Sequence, residues 1–293
     1  MFGFFKKKEA PKRAPAPQSE AVKALAAQFK PEELSVLAVT GPGGYSAVRM
    51  KGDDGLWRVG VPLTAWLEED SPHIHQGQFQ LTSLADDTLS GYLRQRIRGD
   101  FILKFRARVS EDGKSLLLLN LPEPGFDPDL KALLNEQVKP DSVYVDGLGT
   151  FTLNRLVNWY EAEVDWLEGK ASLSYDKGEP EEMKAAQGHA KALLSAAASW
   201  DERVRALAAD QLLSLANDWS QEIDEDGDTA EVTREDFLSR MELAAIQIAP
   251  DGGFDFWFDD GMMFAGHSIH VWGALSRGPA GAQTEGSEAE YSS

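Results

Sequence analysis

Three carboxylates recur at alternate positions in the segment Trp159–Trp166: Glu161, Glu163 and Asp165. If the segment is a strand they line one face, while Tyr160, Ala162, Val164 and Trp166 line the other. Like charges along a strand face repel, so a cation or solvent must offset them. That pattern suits a divalent metal or a basic partner, and paired carboxylates are also the apparatus of glycosidase-type acid–base chemistry. The plainer reading is a solvated sheet face with Lys170 opposite. A second grouping is basic: Arg94, Arg96, Arg98, Lys104, Arg106 and Arg108. It could hold an anionic ligand or RNA phosphates, or pair with the acidic strand.

Other residues with chemical potential are more scattered. His267 and Ser268 are adjacent and so point to opposite sides of a strand, which argues against a catalytic dyad. His267 is expected to be buried and bonded to a turn carboxylate, Asp259 or Asp260, with a general-base role as the alternative. Glu161, Asp165, Asp259 and His267 are the catalytic candidates. Asp224 to Asp228, with Glu235 at the twelfth place, mimics a calcium loop, but Thr229 stands where that loop needs glycine and Glu231 where it needs an apolar residue. His73 and His75 alternate without a visible third ligand. No metal site and no cofactor is assigned.

The elements that must carry these residues can be read from periodicity and turn chemistry. Residues 1–30 form a basic, Pro/Ala-rich tail and a short helix. Phe2, Phe4 and Phe5 with Lys6 to Lys8 give the first eight residues a weak capacity for peripheral membrane contact. Residues 31–142 read as a β-rich domain, a small barrel or a sheet with helices. Its strands are expected at Ser35–Thr40, Tyr45–Lys51, Leu56–Val61, Gln78–Thr82, Phe101–Val109 and Ser115–Leu121, the first two joined as a hairpin through Gly41-Pro42-Gly43-Gly44. Helices are expected at Thr88–Ile97 and from Asp127-Pro128 to Val138.

Residues 143–277 read as a second α+β domain, an antiparallel sheet with a helical pair. Its strands are expected at Val143–Val145, Thr150–Leu153, Trp159–Trp166, Ala171–Tyr175, Leu243–Ile248, Phe254–Phe258 and Phe264–Trp272. The helices are expected at Glu181–Ala198, then from a capping box at Ser199 and Glu202, then from Thr233. The tryptophans of this domain read as core. Residues 278–293 read as a disordered polar tail.

Several runs in the second domain are similar to one bacterial family. Gly147-Leu148-Gly149-Thr150-Phe151-Thr152-Leu153-Asn154-Arg155, Asn158-Trp159-Tyr160-Glu161 and Val164-Asp165-Trp166 resemble the opening of the DUF2262 domain. Asn217-Asp218-Trp219 with Thr233-Arg234-Glu235-Asp236-Phe237 resembles its middle. The runs from Gly252 to Gly261 and from Phe264 to Ile269 resemble its end, and Ala265 departs from the larger, often aromatic residue expected there. The resemblance covers roughly residues 143–275. It implies a prokaryotic, cytoplasmic protein and brings no chemistry with it.

Composition narrows the classes. With 29 basic and 48 acidic side chains the net charge is −19, which disfavours DNA as a partner and favours a basic protein. There is no cysteine, so disulfides, thiolate chemistry and Cys-based zinc are excluded. No apolar run reaches the roughly 20 residues of a membrane span. No nucleophile elbow, phosphate loop or dinucleotide fingerprint is present. The reading leans away from an enzyme and toward a protein-binding module, immunity-like in its concrete form. The alternatives are a hydrolase or metal-dependent enzyme using the carboxylates and His267, and an anion or nucleotide sensor using the Arg-rich stripe.

Overall fold

A computed structural model of the chain describes residues 19–69, 71–223 and 231–285. The fold is mixed α+β, in two compact units that divide between Lys139 and Pro140.

The first unit opens with α1 (Glu20–Ala26) and then β1 (Leu34–Thr40), β2 (Ser46–Arg49), β3 (Trp57–Glu68) and β4 (Ile74–Ala85). After α2 (Asp87–Arg96) come β5 (Ile102–Val109), β6 (Ser115–Leu118), β7 (Glu123–Pro124) and α3 (Pro128–Gln137). The strands β1, β3, β4, β6 and β5 are neighbours in that order, and β5 returns to pair with β1, so five strands close into a barrel. All these pairings are antiparallel except β4 with β6. A closed five-stranded barrel with its third and fifth strands parallel, and a helix between its third and fourth, has the topology of an OB-fold.

Alternation explains the barrel. Val59, Val61 and Leu63 of β3 and Leu103, Phe105 and Ala107 of β5 point inward to a core that α2 closes with Leu89 and Leu93. Two helices cover outer faces: α3 sets Leu130 and Leu134 on Leu37, Val39 and Ala65, and Leu25 of α1, with Phe29 just beyond it, covers Leu84 and Leu117. The expected hairpin through Gly41–Gly44 does not form. β1 pairs with β3 and β5, while β2 pairs with β3. The loop crosses the turn at Gly99 instead, and a Cβ on Gly44, whose φ is +56°, would strike the backbone there.

The second unit begins with an antiparallel meander of β8 (Ser142–Val145), β9 (Gly149–Asn154), β10 (Trp159–Trp166) and β11 (Gly169–Asp176). Three helices follow: α4 (Pro180–Ser195), α5 (Ala197–Ile223) and α6 (Arg234–Arg240). A second meander of β12 (Glu242–Ile248), β13 (Gly253–Asp259), β14 (Ser268–Ala274) and β15 (Gly278–Glu285) completes an eight-stranded sheet. The helical crossover brings β12 back beside β11 in the same direction, so the sheet is antiparallel except for this central parallel pair.

Two further expectations are corrected here. Ser199 does not cap a helix. The chain turns at Ala196, and α5 has already begun at Ala197. Residues 278–285 are not a tail but the edge strand β15, paired along β14.

The helices cover one face of this sheet. Ala186, Ala190 and Leu193 of α4, Trp200, Val204, Ala208 and Leu212 of α5 and Phe237 of α6 pack on Phe254, Phe256, Phe258, Ile269 and Val271. Trp166 donates Nε1–H to Asp201, which is also bonded by Arg205, and Arg205 reaches the carbonyls of Leu238 and Met241. This ties α5 to the end of α6 through a network whose charges are all partnered.

Candidate binding face

The side chains that alternate with this core fall on the opposite sheet face. On β10, Glu161, Glu163 and Asp165 stand in register with Ser174, Ser172 and Lys170 of β11. Lys170 Nζ is 2.6 Å from Asp165 and 3.7 Å from Glu163, and the hydrogen bond to Asp165 raises the lysine's pKa. Both carboxylates remain open, 73% exposed at Glu163 and 84% at Asp165. Glu161 is committed locally, accepting from Trp159 Nε1 at 2.8 Å and from Asn154 at 3.2 Å. A hollow of about 480 Å³ lies over this region between Thr152, Glu161, Glu163, Lys170, Ser172 and Leu243.

The far side of the same face is aromatic. Trp257 and His270 are cross-strand partners whose rings stack at 4.0 Å and 4°. Trp272 lies 5.4 Å from His270 and extends over Gly281, where any Cβ would collide with its ring. His270 Nε2 is 2.7 Å from Asp255, a hydrogen bond the imidazole must donate because a carboxylate only accepts. Its other nitrogen, Nδ1, is 3.2 Å from Glu285 but without hydrogen-bond geometry. Trp159, Trp257 and Trp272 therefore belong to the open face rather than to the core, where Trp166 and Trp200 lie.

The structure keeps the catalytic candidates apart. Asp259, at the end of β13 in register with Glu242, is three strands from β10, roughly 14 Å at ordinary strand spacing. His267 precedes β14 and packs edge-on against Trp219 of α5 at 5.3 Å. Its expected turn carboxylate is engaged elsewhere. Asp260, buried at 4% exposure, accepts from the backbone N–H groups of Met262, Phe264 and Gly266.

The basic stripe is divided. Arg94 and Arg96 occupy the last turn of α2, where positive charge suits the helix dipole. On β5, Lys104 is bonded to Glu69, and Arg106 and Arg108 are bonded to Glu33, all within the first unit. The outer side of β3 and β4 holds a groove lined by Ser46, Gly60, Gln80 and Thr82, with Leu25 and Phe29 along one wall. Its Arg58 is held by buried Asp53 at 2.6 Å. His75 stacks on Trp66 at 4.0 Å and lies 4.5 Å from His73, and desolvation followed by the charge of His73 lowers its pKa. Among the described residues no group of three or more acidic or histidine side chains could hold a metal ion. The calcium-like stretch 224–228 and the first eight residues lie outside the described residues.

Charge separates the units. Residues 1–139 carry 19 basic and 18 acidic side chains, whereas residues 140–293 carry 10 and 30. The acidity of the chain therefore belongs to the second unit. Residue-level reading missed the Asp255–His270–Glu285 grouping. The alternation of Phe254, Phe256 and Phe258 signals that Asp255 and Trp257 face the other way, but Glu285 is legible only once β15 is known to be a strand.

Residues 145–283 match a family model described as "Uncharacterized protein conserved in bacteria (DUF2262)", and residues 21–137 match a "Domain of unknown function (DUF7021)". No curated protein matches the sequence. Two solved structures with which the chain aligns are the wild-type single-stranded DNA binding protein from Thermus aquaticus and a deletion mutant of it. The mutant is 12% identical over 51% of this chain and 76% of its own, the wild type 10% identical over 49% and 72%, each with a TM-score of 0.22. At that score the likeness carries no argument. Among the described residues no helix is long and apolar enough to cross a membrane.

Proposed function

We propose that the second unit acts without catalysis, as a module that binds a basic protein segment on its open sheet face. The observation that carries this reading is the sheet face opposite the helices, which bears Glu163, Asp165, Asp255 and Asp259, with Lys170 set between Glu163 and Asp165. Complementary charge gives such a surface both selectivity and fast association. The enzyme alternative has less support because Glu161, Asp165, Asp259 and His267 do not meet. The anion-sensor alternative has less because Lys104, Arg106 and Arg108 already have carboxylate partners.

Fluorescence anisotropy with a labelled nona-lysine peptide tests the proposal. Glu161→Gln, Glu163→Gln and Asp165→Asn together should weaken binding by about tenfold at low salt, as expected from the loss of three charges, two of them on exposed side chains. Removing three charges from the helices, by Glu181→Gln, Glu202→Gln and Glu235→Gln, should leave affinity within about twofold. Equal losses in the two triple variants would reduce the interaction to net charge and sink the assignment to this face.

A further inference from the structure

Resting on that reading, we infer that the aromatic end of the face, Trp272 with Asp255 and Glu285, is a subsite for an arginine side chain of the basic partner. The register places Asp255 and Gly281 on either side of Trp272. Gly281 has no side chain, so the indole lies across the backbone of β15, with 36% of the residue still exposed. The His270 ring centre lies 5.4 Å from that of Trp272, with Asp255 2.7 Å from its Nε2 and Glu285 3.2 Å from its Nδ1, so a planar cation resting on the indole edge beside His270 has both carboxylates close by.

The carboxylates are already positioned. His270 holds Asp255 through Oδ1, and Gln283 donates to Oε1 of Glu285 at 2.6 Å. Each carboxylate is 41% exposed. Fixed acceptors beside a flat ring favour guanidinium over ammonium, because guanidinium stacks on indole and bonds a carboxylate through two parallel N–H groups, whereas ammonium is a compact, strongly hydrated point charge. The molecule uses the same contact internally. The Arg49 guanidinium lies 4.4 Å from the Trp57 ring centre and is bonded to Asp87, which also accepts from that indole.

The test compares labelled nona-arginine with nona-lysine on the full chain. Wild type should bind the arginine peptide about tenfold more tightly. Trp272→Ala should abolish that preference while leaving the lysine affinity within about twofold. Gly281→Leu, which displaces the ring without removing it, should do the same, and circular dichroism checks that each variant is folded. Equal affinities in wild type, or a preference that survives Trp272→Ala, would overturn the arginine subsite and leave the acidic face standing. Failure of both peptides to bind would overturn the face as well.

Discussion

Asp260 sits in the turn after β13, and its two oxygens accept from three backbone N–H groups at 2.6 to 3.1 Å. It is buried without a cationic partner among the described contacts, so these donors are what hold it there. Asp260→Ala strands all three, and a loss of about 3 kcal/mol is expected in urea unfolding. Tyr160 makes a second prediction at this scale. Burial, then its hydrogen bond to Asp141, pushes the phenol from 10.0 to about 12, while Lys177 and that phenol lower the Asp141 carboxyl. A raised folded pKa stabilises fully below the unfolded value, and the contribution is lost as pH rises through the folded one. Tyr160 should therefore cost stability between about pH 10 and 12, and Tyr160→Phe should flatten that decline by about 1 kcal/mol per pH unit. Urea midpoints across the range check it.

At the scale of elements, the edge strand β15 joins sheet to helix. It pairs along β14, and Gln211 of α5 accepts from the Ala282 N–H at 2.7 Å. Truncation after Arg277 should therefore lower the melting temperature of the second unit and promote aggregation, because β14 becomes an unprotected edge. Truncation after Glu285 should do neither. Calorimetry with light scattering separates the two. This strand also marks where sequence reading stops: Gly278–Glu285 is small and polar with little alternation, and its stability comes from a neighbour rather than from local propensity. By contrast β10 was legible to the residue, because Trp159–Trp166 alternates without interruption and ends in a Leu167-Glu168-Gly169 turn. The start of α5 was misplaced because Ser199 and Glu202 carry the capping pattern, yet packing of Trp200 and the turn at Ala196 set the boundary earlier.

At the scale of the molecule, each unit has its own buried core, the barrel interior in one and the helix-covered sheet face in the other. Residues 19–139 and 140–285 expressed separately should each unfold cooperatively in urea. The second should elute from an anion exchanger at distinctly higher salt, since it carries 28 acidic and 10 basic side chains against 17 and 14 in the first. Cooperative loss of structure in only one piece would show that the other depends on its neighbour.

The amino-acid order determined by itself the α+β class, the two-part division, the family model that residues 145–283 match and the face on which Glu161, Glu163 and Asp165 stand. These follow from local periodicity, turn residues and motif spacing, which act over a few residues. Only the tertiary structure decided that β1 closes onto β5, that β12 lies parallel to β11, and that Asp255, His270, Trp272 and Glu285 share one surface. Those facts depend on which strands become neighbours. Pairing is selected by the burial of whole faces across long stretches of chain, and no short window of residues records it.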